Sequence, residues 1–234
     1  GPDPPLPVGL GVVHPGFRIV GVRIEQALQR AVLRIEEGEA PDVTFERFDV
    51  ANGSNAKWLV DHASKRTVVF RDTTMGGYRN SVNAGKVVLD NVNGSGWDFR
   101  GQQVWARQLD THATEEEFNV RLEETKFWAF GLAASGAKSV ITAVRSHAEV
   151  FGGFFATSRS VDAGAAAFGL TESAFAGNWV NASGALFRPQ VRERRGKAIH
   201  EFFLHVDGTD RNDPKLVLRG SLDGDIRLEQ NDRR

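Results

Sequence analysis

Acidic and basic side chains recur in this chain at spacings that can do chemistry on a polymer. Asp72 and Asp90 lie in two neighbouring apolar segments, Val68–Thr73 and Val87–Val92. Stacked as parallel strands about 4.8 Å apart, those segments would bring the two carboxyls within about 5 Å, which suits a retaining glycosidase pair. Glu46, one segment further back, would stand roughly 9–10 Å from Asp90, near the limit for an inverting pair. Arg71 and Arg107 flank Asp90 on the same stacking. They suit the carboxylate of a uronate sugar, and Arg107 is a candidate base for β-elimination. His112, within Asp110-Thr-His-Ala-Thr114, is a candidate general acid or base, with Asp110 beside it as a substrate ligand. Trp105 points outward on the same pattern and would stack on a sugar ring. The competing reading is a solvated ladder of charges that only holds strand register, and the residue types favour it.

The elements that must position these residues follow from a short repeat: apolar, any, apolar, any, any, apolar. It occurs as Phe17-x-Ile19-x-x-Val22, Val43-x-Phe45-x-x-Phe48 and Val68-x-Phe70-x-x-Thr73. It returns as Val87-x-Leu89-x-x-Val92, Val104-x-Ala106-x-x-Leu109 and Val120-x-Leu122-x-x-Thr125. Alternation puts two apolar side chains on one face of a strand, and two consecutive outward residues then mark a bend. The uneven spacing of the repeats fits a β-solenoid, whose turns take insertions, better than a helical array. Asn52-Gly53, Gly76-Gly77, Asn93-Gly94 and Ser135-Gly136 supply turn chemistry between segments. The fourth template position reads Glu46, Arg71, Asp90, Arg107, Glu123, alternating in sign, so stacking would place each charge between opposite ones. Two segments compete as helices, Glu25–Glu37 by amphipathicity and Thr114–Phe130 by its capping-box-like Thr114-x-x-Glu117.

Composition narrows the class. The 234 residues carry 29 basic and 30 acidic side chains, a net charge of −1 that makes no electrostatic case for nucleic acid. No apolar run reaches the roughly 18–20 residues of a membrane span, and no basic start followed by an apolar stretch reads as a signal segment. The lack of cysteine excludes disulfides and thiolate metal sites. No metal site and no cofactor is expected: there is no phosphate loop, dinucleotide fingerprint or Gly-x-Ser-x-Gly elbow. The acidic run Asp207–Asp213 reads as a polar turn, His62 as a surface turn residue, and Arg188, Arg192, Arg194, Arg195 and Lys197 as a basic cluster balanced by Glu193 and Glu201.

The segments Lys86-Val-Val-Leu-Asp-Asn-Val-Asn-Gly-Ser-Gly-Trp97, Val104–Leu109, Phe127–Leu132 and Glu149–Phe155 carry a family resemblance. Over roughly residues 17–160 the chain resembles the pectin-lyase-like superfamily, in particular bacterial pectate-lyase-superfamily proteins described as glycoside-hydrolase-28-related. The resemblance implies an all-β fold, a right-handed parallel β-helix with a less regular C-terminal strand region. The divisions expected are an extended segment over 1–16, the β-helix over 17–206, and C-terminal strands and a tail over 207–234. It also implies a polysaccharide partner, a lyase, hydrolase or glycan-binding role, and an extracellular or cell-surface location, with self-association left open. The alternative is a non-catalytic interaction module of the adhesin or tailspike kind. Such proteins are usually longer, so the chain reads as a C-terminal part or a short member. The Asn-Thr-Asp, Asp-Asp and Arg-x-Lys motifs of polygalacturonases are absent.

Overall fold

A computed structural model describes residues 17–20, 23–24, 33–37, 42–50, 60–112, 118–136, 139–156, 165–181, 187, 189–202, 216–220 and 226–230. The segment 1–16, Arg188, His205 and the Asp207–Asp213 run lie outside the described residues. Every regular element described is a strand, and the chain coils as a parallel β-solenoid. The first level is β1 (Phe17–Val20), β2 (Arg23–Ile24) and β3 (Leu33–Ile35), and the second is β4 (Asp42–Glu46), β5 (Asp49–Val50) and β6 (Val60–His62). The long strands β7 (Thr67–Asn80) and β8 (Val87–Arg100) each bend through a whole level. Two strands make each following level: β9 (Gln103–His112) with β10 (Phe118–Glu123), then β11 (Lys126–Ser135) with β12 (Ser139–Val144). The next are β13 (His147–Ala156) with β14 (Phe168–Thr171), and β15 (Ala174–Asn181) with β16 (Val191–Arg195).

Three parallel sheets run along the coil. The first stacks Val43, Val68, Val87, Val104 and Phe127 over one another. The second stacks Val92, Leu109 and Leu132, and the third stacks Tyr78, Trp97, Val120 and Ile141. Inward residues form one apolar column: Val43, Phe45, Phe70, Val87, Leu89, Val92, Val104, Leu109 and Leu122 are all buried, as the repeat predicts. Phe45 and Phe70 stack at 5.1 Å between ring centroids, and Tyr78, Trp97 and Phe99 continue the aromatic interior. Each such side chain contributes about 1.5–3 kcal/mol by leaving water.

On six successive levels the bend after the first-sheet strand is one left-handed residue: Arg47, Asp72, Asn91 and Gln108, then Gly131 and Gly152. A single residue at positive φ turns the strand and leaves two neighbours pointing outward, the pair anticipated in Arg71–Asp72 and Asp90–Asn91. A non-glycine residue there costs roughly 1–2 kcal/mol, which the side-chain bond from Asn91 Nδ2 to Asp72 Oδ1 (2.7 Å) partly offsets. Beside the bends that follow the third sheet, Thr125, Ser146 and Ser173 form a buried hydroxyl ladder. Thr125 N donates to Ser146 Oγ and Ser146 N to Ser173 Oγ. Gly94 is fixed by close approach, since a Cβ would lie 2.1 Å from the Met75 carbonyl oxygen.

Three expectations change. Val120–Leu122 is not a fifth first-sheet segment: β10 stacks on the third sheet, so Glu123 pairs in register with Arg100 and leaves the Glu46 row. The fifth place in that row belongs to Phe130, which stacks on Arg107. Thr114–Phe130 is not a helix, because its described part is β10 and the start of β11, and Leu33–Ile35 within Glu25–Glu37 is a strand. His62 is not on a surface turn but fully buried, its Nδ1 2.8 Å from the Tyr78 hydroxyl and 3.1 Å from Gln102 Nε2. Parallel stacking ends at β16, after which β17 (Ala198–Phe202), β18 (Leu216–Gly220) and β19 (Ile226–Gln230) pair antiparallel.

Candidate functional site

The outward residues of the first sheet stand in columns parallel to the solenoid axis, because each stacks on its register partner. One column runs Val88, Trp105, Trp128, Glu149. The next runs Glu46, Arg71, Asp90, Arg107, Phe130, Phe151. Between them lies an open groove of about 370 Å³, floored by Leu89, Ala106 and Ala129. Trp105 and Trp128 stack at 5.3 Å with 14° between their planes. Lys86 Nζ covers the free side of Trp105 at 5.6 Å, and the His147 ring lies 6.3 Å from Trp128, itself bonded to Glu149 at 2.7 Å. The indole faces are thus occupied, and their edges form one wall of the groove. Phe130, 71% exposed, and Phe151 form the other. Parallel stacking consumes the backbone hydrogen bonds, so only side chains are left to recognise a ligand.

The charges at the head of the groove are tied to one another. Arg71 Nε lies 3.3 Å from Asp90 Oδ2, while Arg107 Nε and Nη2 both reach Asp90 Oδ1 at 2.7 Å. Asp72 sits one residue later, in the bend, where its partner is Asn91. Asp72 and Asp90 therefore bond to other groups and not to each other, and Glu46 is separated from Asp90 by the level that carries Arg71. A carboxylate between two guanidinium groups serves to hold those cations in place. Trp97, unlike Trp105 and Trp128, is core.

His112 and Asp110 belong to the second sheet, across the Gly131 bend from the groove. His112 Nε2 lies 3.1 Å from Asp110 Oδ1, and its Nδ1 is 2.5 Å from Ser135 Oγ on the adjacent level. Asp110 and His112 face outward two residues apart on one strand, and Ser135 is the register partner of His112. The structure thus divides the eight candidate residues into three that line the groove (Asp90, Arg107, Trp105), two earlier members of the same outward row (Glu46, Arg71), a second-sheet pair (Asp110, His112) and the bend residue Asp72.

No family model matches the chain, and no curated protein or solved structure matches it. Function must therefore be argued from the geometry.

Sequence reasoning missed Phe130, Phe151 and Ser135 as site residues. The two phenylalanines lie in segments recognised as strands, but the row was continued to Glu123 instead. Reading Phe127-Trp-Ala-Phe as the template, with Phe127 below Val104, would have found them. Ser135 has no local signal, since its meeting with His112 depends on the length of the intervening coil. Among the described residues no group of three or more metal-ligating side chains occurs, and no helix is long and apolar enough to cross a membrane.

Proposed function

We propose that this protein binds a polysaccharide strand laid along the axial groove of the first sheet, outside the cell or at its surface. The observation that carries the reading is the groove between the half-buried Trp105–Trp128 stack and the exposed Phe130–Phe151 wall, running along the coil beside Lys86 and Arg107. Large apolar side chains left open in a row mark a contact surface, and aromatic edges with flanking cations suit the mixed apolar and polar surface of a sugar chain. The resemblance to pectin-lyase-like proteins directs the reading to polysaccharide, and a uronate-containing chain suits the cations. The Asp90 clamp favours recognition without cleavage: an arginine held by a carboxylate is a poor base, and among the described residues the two carboxylates lining the groove, Asp90 and Glu149, are engaged by Arg71 and Arg107 and by His147.

The test is binding to a panel of acidic and neutral polysaccharides by affinity electrophoresis. Trp128→Ala and Phe130→Ala are expected to weaken binding at least tenfold, with unsaturated products and reducing ends both absent. Unsaturated products lost in Arg107→Ala would establish a lyase instead, and reducing ends lost in Asp90→Ala a hydrolase. Absence of binding across the panel would overturn the reading and leave the non-catalytic protein-interaction role.

A further inference from the structure

We propose that Ser135, His112 and Asp110 form a second site, separate from the groove, that hydrolyses short-chain O-acyl esters. The three side chains come from two stacked strands, β9 and β11, and all face outward on the second sheet. His112 Nδ1 is hydrogen-bonded to Ser135 Oγ at 2.5 Å, and its Nε2 faces Asp110 Oδ1 at 3.1 Å.

The tautomer of neutral His112 follows from these partners. An ionised carboxylate offers only lone pairs and negative charge, so the tautomer with its hydrogen on Nε2, towards Asp110, is the favoured one. The Nδ1 lone pair is then left to accept the Ser135 hydroxyl hydrogen. The opposite tautomer would set the Nε2 lone pair against a carboxylate oxygen. Asp110 therefore fixes the form of His112 that can take a proton from Ser135, the logic of an activated nucleophile and its oriented base.

An apolar row lies beside these three side chains. Ala133 is the register partner of Asp110, and Phe154 is the register partner of Ala133. The methyl group of Ala133 thus lies between the Asp110 carboxylate and the Phe154 ring, which is 52% exposed. This gives an apolar row two residues before Ser135, against which a short acyl group can lie. In the reaction Ser135 Oγ attacks the ester carbonyl carbon and its proton passes to His112 Nδ1. The carbonyl bond re-forms as the alkoxide leaves with that proton, giving an acyl-serine and an alcohol. Water then attacks the acyl carbon, loses its proton to Nδ1, and Ser135 Oγ departs with it, releasing the carboxylic acid.

The test uses the full chain with p-nitrophenyl acetate and a fluorophosphonate probe, with peptide mass spectrometry to find the modified residue. Expected are turnover, probe on Ser135, and a loss of about 10²-fold or more in Ser135→Ala and in His112→Gln, at the lower end of general-base catalysis. Asp110 acts through His112, so its variant is read by separating kcat from KM. Asp110→Asn should lower kcat with KM little changed, and Asp110→Glu should restore kcat, which a merely structural role would not do. Glu124→Ala, which removes an exposed ion pair outside both sites, should leave ester turnover unchanged. A free imidazole also cleaves this ester, so a rate kept in Ser135→Ala but lost in His112→Gln would overturn the proposal. Wild-type turnover no faster than Ser135→Ala, or probe found elsewhere, would overturn it too. Thermal melting of each variant shows whether a loss reflects unfolding; Ser135→Cys, close in size, supplies a second nucleophile variant that should still be labelled by iodoacetamide faster in the presence of His112 than in its absence.

Discussion

His62 shows how a single residue couples this interior to pH. Burial pushes its imidazole pKa down from 6.5 to about 4, against smaller opposing effects from the Arg66 backbone, Glu37, the Ser64 backbone and Asp61. The same burial pushes the Tyr78 phenol well above its ordinary value, so both partners stay neutral across the working range. The unfolded chain binds a proton near pH 6.5 and the folded chain only near pH 4. Folding is thus penalised progressively as pH falls through that window, by about 3 kcal/mol in all, and the loss levels off below pH 4. Urea unfolding at pH 7.5 and pH 4.5 should show this extra loss in the wild type and not in His62→Phe, where no group titrates. Equal pH dependence in the two proteins would contradict it. At the groove, Asp90→Asn weakens the hold on Arg71 and Arg107, and a fall in polysaccharide affinity without a fall in melting temperature is expected.

Strands are aligned here by charge as well as by packing. The row Glu46, Arg71, Asp90, Arg107 stacks in register on the first sheet. A longer row alternates on the third: Arg34, Asp61, Arg79, Asp98, Arg121. Since like charges on adjacent levels repel, a slip of one level in either row would set several pairs against each other. The rows differ in weight. Asp98 has its side chain 2% exposed and receives two bonds from Arg100, Nη2 at 2.9 Å and Nε at 3.3 Å, which raise the arginine pKa further. Removing it as Asp98→Ala should cost about 2 kcal/mol, the scale of hydrogen bonds to a charged group. Glu124→Ala breaks the exposed Arg145 pair and should cost roughly 0–1 kcal/mol. Chemical denaturation of the two variants in parallel checks the ratio, and equal losses would show that the buried position does not matter.

A solenoid has open sheet edges at its ends, and here the described C-terminal strands cover the last level on two of the three sheets. β17 pairs antiparallel with β16 on the third sheet, and β18 with β15 on the first, backed by β19. Arg192 and Glu201 bond across the first of these hairpins at 2.6 Å. An uncovered edge is a template for another chain. A chain ending after Arg195 should therefore form higher oligomers on size exclusion with light scattering, while the full chain at equal concentration should be smaller. Within the coil, Leu89→Ala would open a hole beneath the groove and should cost about 2–5 kcal/mol by thermal or urea unfolding.

The repeat of apolar residues determined the coil locally. Val43, Phe45, Val87 and Leu89 alternate within a few positions, and alternation with a paired outward step states a strand followed by a bend. It also determined the pairing of Arg71, Asp90 and Arg107, because each sits at a set distance from its apolar anchors. What it did not determine was how many residues the chain spends on the other two sides before returning. That length differs from level to level, and a template read by spacing alone took Val120 for the next turn of the first sheet. Only the tertiary structure placed β10 on the third sheet and Phe130 above Arg107, turning a charge row into an aromatic wall. It also brought Ser135 to His112 and enclosed His62 with Tyr78 and Gln102. These are contacts between levels, set by the path of the whole coil, and no local pattern of residues encodes where that path closes.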